Sequence, residues 1–288
     1  MGTWVWLVVI VVAIAGYWLW KRYQDGQANT QRLLNEVEQS NGKRAVEVAT
    51  QLFGLHQIDA GKAALRRGAE LGDADSAVNY AGILFEEKDT SAAIVAYRRA
   101  AELGMGNAAM MLALLLKEKG DVPGAIAAFE QSIDKGVEGA ASTLSGLLQE
   151  RGDEPAAIAA LERGIAMKDR DAAHGLGLLR AGQGDAAGAI AAYEIGIELG
   201  NGRAATNLGG LLSEKGDIHG AVAVYERGIA LGEGGSAFNL GVLRDEQGDI
   251  PGAIEAVEKA INMGFKNPDV NLHHYLAQLR QDLALASR

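Results

Sequence analysis

The chain has 288 residues, 48% of them apolar and 22% charged, a balance that suits a folded protein rather than a disordered tail or a polytopic membrane protein. Its 27 basic and 37 acidic residues give a net charge of -10, which argues against a binder of the nucleic-acid backbone, and the absence of cysteine removes disulfides, thiolate zinc sites and cysteine nucleophiles together. Thirty-eight glycines against four prolines suit many short helices joined by glycine turns, with no Gly-X-Y period of the collagen kind.

From Thr3 to Trp20 the sequence TWVWLVVIVVAIAGYWLW carries no charged side chain. As a helix rising about 1.5 Å per residue it is about 27 Å long, close to the ~30 Å thickness of a hydrocarbon core. All four tryptophans lie at its ends, Trp4 and Trp6 on one side, Trp18 and Trp20 on the other with Tyr17 and Tyr23, in the pattern of two interfacial aromatic belts. A cleaved secretory signal fits less well, because there is no basic leading region and the apolar run continues past Ala15. An N-myristoylation pattern fails at Trp6, where Ser or Thr is required. Residues 3–20 are therefore expected as a transmembrane anchor, followed by a polar juxtamembrane linker over 21–42 that is helical around RLLNEVEQ. Lys21, Arg22 and Arg32 follow the span, so the positive-inside rule puts the C-terminal bulk in the cytoplasm.

The remainder is periodic. Asp89, Asp121, Asp153, Asp185, Asp217 and Asp249 recur at intervals of 32 residues, Gly precedes five of them, and Ala93, Ala125, Ala157, Ala189, Ala221 and Ala253 follow in step, each with Ile or Val next. A large residue recurs at Tyr97, Phe129, Leu161, Tyr193, Tyr225 and Val257, and units close on Gly104, Gly136, Gly200, Gly232 and Gly264, with Lys168 in that place once. Seven such units occupy residues 43–268.

Within one unit, residues 239–264, Leu240 and Leu243 and then Ile254, Val257 and Ile261 stand at helical spacing, which predicts two amphipathic helices. Gly248 between them suits a left-handed turn that ends the first helix, and Asp249 suits the N-cap of the second. Pro123, Pro155 and Pro251 fall in the first turn of that helix, where proline is tolerated. Gly209, Gly241, Ala221 and Ala253 let the paired helices approach closely. One pair cannot bury its apolar face alone, so the expected architecture is all-α: a right-handed α-solenoid of helix-turn-helix repeats preceded by one N-terminal transmembrane helix, with residues 269–288 as a C-terminal capping helix and tail.

The motifs NLG, GD and GAI with an aromatic four residues after the alanine resemble the tetratricopeptide repeat, while the junctions AAELGDADSAVNYAG and AAELGMGNAAMMLA are similar to those of Sel1-like repeats. The chain departs from both: tetratricopeptide units are longer and carry a terminal proline, and Sel1-like units carry an insertion between their helices. The resemblance covers about residues 43–285. It implies a concave face lined by the first helix of each unit, at Val78, Met110, Ser142, His174, Thr206 and Phe238 and, two turns on, at Phe85, Lys117, Gln149, Ala181, Ser213 and Asp245. It also draws attention to Asn79, Asn207, Asn239 and Asn271, at a place where some tetratricopeptide proteins contact a ligand backbone or carboxylate. Arg203 is the only nearby cation, which disfavours a carboxylate clamp. The expected partner-binding set is Asn79, Met110, Lys117, His174, Arg203, Asn207, Phe238 and Asn239, with Met110 and Phe238 expected in an open groove where truncation leaves stability nearly unchanged.

Catalytic and cofactor signatures are missing from the sequence. His56, His174, His219, His273 and His274 show no convincing metal-ligand spacing, and adjacent His273 and His274 point to different helix faces. Glu130, Glu162, Glu194, Glu226 and Glu258 occupy one repeat position and so form a line rather than a facing acid–base pair. Arg151-Gly152-Asp153 is the turn that other units write as Lys-Gly-Asp or Gln-Gly-Asp, and no phosphate loop, nucleophile elbow or dinucleotide fingerprint is present. No enzyme activity, cofactor, metal or nucleic-acid partner is expected. The function expected is that of a membrane-anchored scaffold recruiting a protein or peptide through its concave face, the alternative being an extracytoplasmic assembly factor, chaperone or accessory subunit of a membrane complex. Self-association remains open on the sequence.

Overall fold

The computed structural model describes residues 2–268 and 270–286, with the backbone alone for 2–16. Among the described residues there are sixteen α-helices and no strand: α1 (Gly2–Gln39), α2 (Ala45–Gly54), α3 (Ile58–Glu70), α4 (Ala74–Glu86), α5 (Thr90–Glu102), α6 (Gly106–Glu118), α7 (Val122–Asp134), α8 (Ala140–Glu150), α9 (Glu154–Ala166), α10 (Arg170–Gly182), α11 (Ala186–Glu198), α12 (Gly202–Glu214), α13 (Ile218–Ala230), α14 (Gly234–Glu246), α15 (Ile250–Asn262) and α16 (Leu272–Ala286). The chain divides into two compact units, Met1–Ala128 and Phe129–Arg288, with the division falling inside the sequence of α7. Both are helical-repeat stacks.

The turns between paired helices follow from two residues. Gly216 has φ of +81°, its N–H bonds the Ser213 carbonyl at 2.9 Å and that of Asp217 bonds the Leu212 carbonyl at 2.9 Å, so the last carbonyls of α12 are satisfied. The Asp217 carboxylate then accepts the Gly220 N–H at 3.0 Å and opens α13. Such a cap is worth about 1 kcal/mol. Asp89, Asp121, Asp153, Asp185 and Asp249 cap their helices in the same way. Lys168 adopts φ of +63°, the left-handed conformation that glycine supplies at the equivalent turns.

In Met1–Ala128 the core begins within α1. Leu33 and Val37 are buried against Val48, Leu52 and Leu65. Glu38 accepts hydrogen bonds from Arg67 Nε at 2.5 Å and Nη2 at 3.1 Å, and Glu36 pairs with Arg44 at 2.6 Å. Residues 21–39, expected as linker, are thus the continuation of α1 and close the end of this stack. The expected transmembrane span is not supported: among the described residues no helix is long and apolar enough to cross a membrane, and the side chains of residues 3–16 lie outside the described set.

In Phe129–Arg288 the paired helices close on glycine. A Cβ on Gly177 would overlap the Tyr193 ring, one on Gly209 the Tyr225 ring, and one on Gly241 would stand 2.7 Å from Val257 Cγ2. Tyr193 and Tyr225 are buried there with Leu208 and Leu240. The second helices are also tied along the stack, Arg227 to Glu194 at 2.8 Å and Arg163 to Asp134 at 2.5 Å. Exposed pairs of this kind each contribute under about 1 kcal/mol, so packing carries the stack. Gly209→Ala is expected to lose about 1–3 kcal/mol in urea unfolding through overpacking against Tyr225; a variant as stable as the parent would show that the helix pair does not close on that ring.

Candidate functional site

First helices of successive pairs in Phe129–Arg288 line two adjoining cavities. One, of about 590 Å³, is bounded by Ser142, Gly146, Gln149, Gly175 and Gly182 with Glu154 and Asp171 at its edge. The other, of about 430 Å³, is bounded by Thr206, Asn207, Gly235, Asn239 and Glu233 and closed by Phe238, Phe265 and Asn267. His174, Leu178 and Arg203 belong to both. The small residues of α8, α10 and α14 leave room for a ligand backbone to come close.

Tyr193 organises the centre. Its ring lies on α10 with its centroid 6.1 Å from that of His174, and its hydroxyl lies beside the Asn207 side chain of the following pair. Asn207 Nδ2 lies 2.9 Å from His174 Nε2, a hydrogen bond that a neutral imidazole accepts when its proton is on Nδ1. Burial, and then the nearby Arg203 charge, push the His174 pKa below its ordinary value, with Asp171 opposing. One pair on, the Tyr225 hydroxyl lies beside Asn239 in the same relation.

Carboxylates at the groove are engaged within the protein. Glu154 accepts from Gln183 at 2.7 Å, Asp171 accepts from Asn201 at 3.0 Å, and Glu233 accepts the Gly235 N–H at 3.2 Å while capping α14. Arg203 is exposed and has no carboxylate partner among the described residues. Leu178, 48% exposed, stands beside it as the apolar element. The groove therefore offers one free positive charge, one apolar contact and a row of amides.

Five of the eight expected binding residues, His174, Arg203, Asn207, Phe238 and Asn239, border the smaller cavity. Asn79, Met110 and Lys117 lie in Met1–Ala128 and line neither cavity; Asn79 is exposed and donates to the Asp75 carbonyl of its own helix at 2.8 Å. Two expectations need correction. Phe238 is a core residue, packed with Leu272 and Ala260, stacked on Phe265 at 5.7 Å and edge-on to Tyr275 at 6.3 Å, so its truncation opens a cavity instead of leaving stability unchanged. His174 is likewise buried. Leu178, Gln183 and Asn267 also line the groove, beyond the residues expected from the sequence. Leu178 had a legible signal, because its slot holds Gly146 and Gly210 in the neighbouring units.

Among the described residues, Glu138, Asp169 and Asp171 are close enough to hold a cation. Each is already partnered: Glu138 by Arg170 at 2.5 Å, Asp169 by the Gly139 and Ala172 N–H groups, and Asp171 by Asn201. Their arrangement is that of a helix cap.

Residues 110–172 and 174–236 match the family described as Tetratricopeptide repeat. The fold resembles that of c5321, a protective antigen present in uropathogenic Escherichia coli strains and displaying an SLR fold, with a TM-score of 0.57 and 21% identity over 80% of this chain and 56% of that one. It also resembles yeast Tom70, with a TM-score of 0.53 and 13% identity over 90% of this chain and 59% of that one. The family match supports tetratricopeptide-type repeats over residues 110–236. At these identities the structural likeness concerns the fold alone, and the chain spans little more than half the length of each of these proteins. No curated protein matches the sequence.

His174 gives a pH prediction. Because its pKa is depressed in the folded state, the unfolded chain takes up the proton first as pH falls below about 6.5, and stability declines from there towards the folded pKa. His174→Gln is expected to flatten the loss of urea stability between pH 7.5 and 5.5; an unchanged slope would show that the imidazole is not held neutral.

Proposed function

We propose that the chain is a non-catalytic scaffold, anchored through residues 3–20 with its repeats in the cytoplasm, that holds a protein or peptide partner in the groove between Ser142 and Asn267. The observation that carries the binding role is the groove itself, where internal hydrogen bonds occupy Glu154, Asp171 and Glu233 while Arg203 and Leu178 face the solvent. Helical-repeat proteins commonly act by presenting such extended surfaces, and the tetratricopeptide match over 110–236 supports that reading. The anchor is supported by the uncharged stretch with aromatic ends and by the helical backbone of α1 through the same residues. Cytoplasmic placement rests on Lys21, Arg22 and Arg32. Confinement to a surface would raise the effective concentration of a weakly held partner, which gives the combination of anchor and groove a purpose.

The test is chemical crosslinking in intact cells expressing the full-length protein, comparing it with a Leu178→Asp, Arg203→Glu variant. A membrane-permeant reagent should capture a defined partner that the variant loses. Retention by the variant would move binding away from the groove, and capture by an impermeant reagent would place the repeats outside the cytoplasm, as an extracytoplasmic assembly role requires.

A further inference from the structure

A second surface lies in Met1–Ala128, among the second helices α3 and α5. A cavity of about 590 Å³ runs between them, walled by Ala69, Leu84, Ala92, Val95 and Ala96 and floored by Tyr80 of α4. It is continuous through Arg66, Tyr80 and Leu84 with a smaller cavity of about 180 Å³ that reaches Asp59 and Lys62. Together they form a trough along α3 from Asp59 to Glu70, about 17 Å at the helical rise, or three turns. Alanines make the walls low, and Val95 at the margin is 65% exposed, so the trough has the depth and apolar character to take side chains from outside.

The rim distinguishes this place from the rest of the molecule. Arg66 on α3 and Arg98 on α5 occupy the repeat position that is Glu130, Glu162, Glu194, Glu226 and Glu258 in the later units. In a chain of net charge -10 the sign is reversed only here. Arg98 is exposed, with no hydrogen bond or ion pair among the described residues, and Arg66 is held loosely, 3.7 Å from Glu70. Glu70 and Glu102 share the rim and pair with Arg67 and Arg99 at 3.1 and 3.4 Å. A polyphosphate or anionic headgroup would meet those two carboxylates, whereas spaced carboxylates on either side of an apolar stripe could address Arg66 on one wall and Arg98 on the other.

We propose that this trough is a docking surface for an acidic amphipathic helix of a protein partner, its apolar stripe seated on Tyr80, Leu84 and Val95 and its flanking carboxylates paired with Arg66 and Arg98. The surface is formed by α3, α4 and α5 and shares no residue with the groove of the proposed function. Helix-in-groove binding of this kind combines apolar anchors at i, i+3, i+4 and i+7 with charge complementarity that selects the partner.

The test uses the full-length protein in detergent and a synthetic peptide of about four helical turns with a leucine stripe flanked by glutamates, against the same peptide with lysines instead. Fluorescence anisotropy should show the acidic peptide binding at least about ten-fold more tightly, and an Arg66→Glu, Arg98→Glu variant should reverse that preference. Val95→Ser, which leaves the charges in place, should weaken both peptides, and helicity by circular dichroism should match the parent in each variant. Equal affinity for the two peptides, no binding of either, or binding untouched by these substitutions would overturn the proposal. So would displacement of the acidic peptide by anionic phospholipid vesicles, or a dimer in sedimentation that the charge reversal dissolves, which would give the trough to lipid or to a second copy of the chain.

Discussion

The seating of an aromatic ring on a bare helix backbone governs how the Phe129–Arg288 unit is built. Gly177 and Gly209 leave a flat place on the first helix of a pair, and Tyr193 and Tyr225 of the second helix lie on it. Only a residue without a Cβ allows that approach, and only a tyrosine both fills the space and carries a hydroxyl beyond it. Those hydroxyls lie beside Asn207 and Asn239 of the next pair, so the ring that closes a pair also stands against its neighbour. Asn207 also bonds His174, at the centre of the groove.

Electrostatic organisation follows the same economy. Arginines of the second helices bind carboxylates of the preceding pair, acids around the groove are consumed by caps and amides, and the free charge is left where a partner can reach it. Among the cations without an ion pair in the described residues, Arg203 in one unit and Arg98 in the other sit beside exposed Leu178 and Val95 in a chain that is acidic as a whole. Each surface thus combines a cation with an apolar contact, the pairing that gives selectivity as well as affinity.

What the sequence makes legible is the local chemistry. An aspartate before an alanine-rich helix and a glycine before the aspartate announce cap and turn, and the structure carries both at Gly216 and Asp217. The fate of a repeated residue is harder to read, because it depends on its neighbour one unit away. Asn207 and Asn239 follow tyrosines and join the stack, whereas Asn79 follows Leu65 in the same relation and turns back on its own helix, and Asn271 follows Val257 and caps α16. Phe238 was misread for a similar reason: after Gly264 the chain leaves the period, Phe265 folds onto the ring and α16 covers it, which no single repeat can foretell. The reach of α1 into the core rests on Leu33, Leu34 and Val37 alone, dispersed among polar residues that hide the pattern.

The most direct measurement is a double-mutant cycle on Tyr193→Phe and Asn207→Ala by urea unfolding. If the hydroxyl–amide bond joins successive pairs, the two losses are not additive and the coupling is about 1 kcal/mol. Additive losses would contradict the account, because they would mean that the ring seated on Gly177 closes its own pair without holding the next one in place.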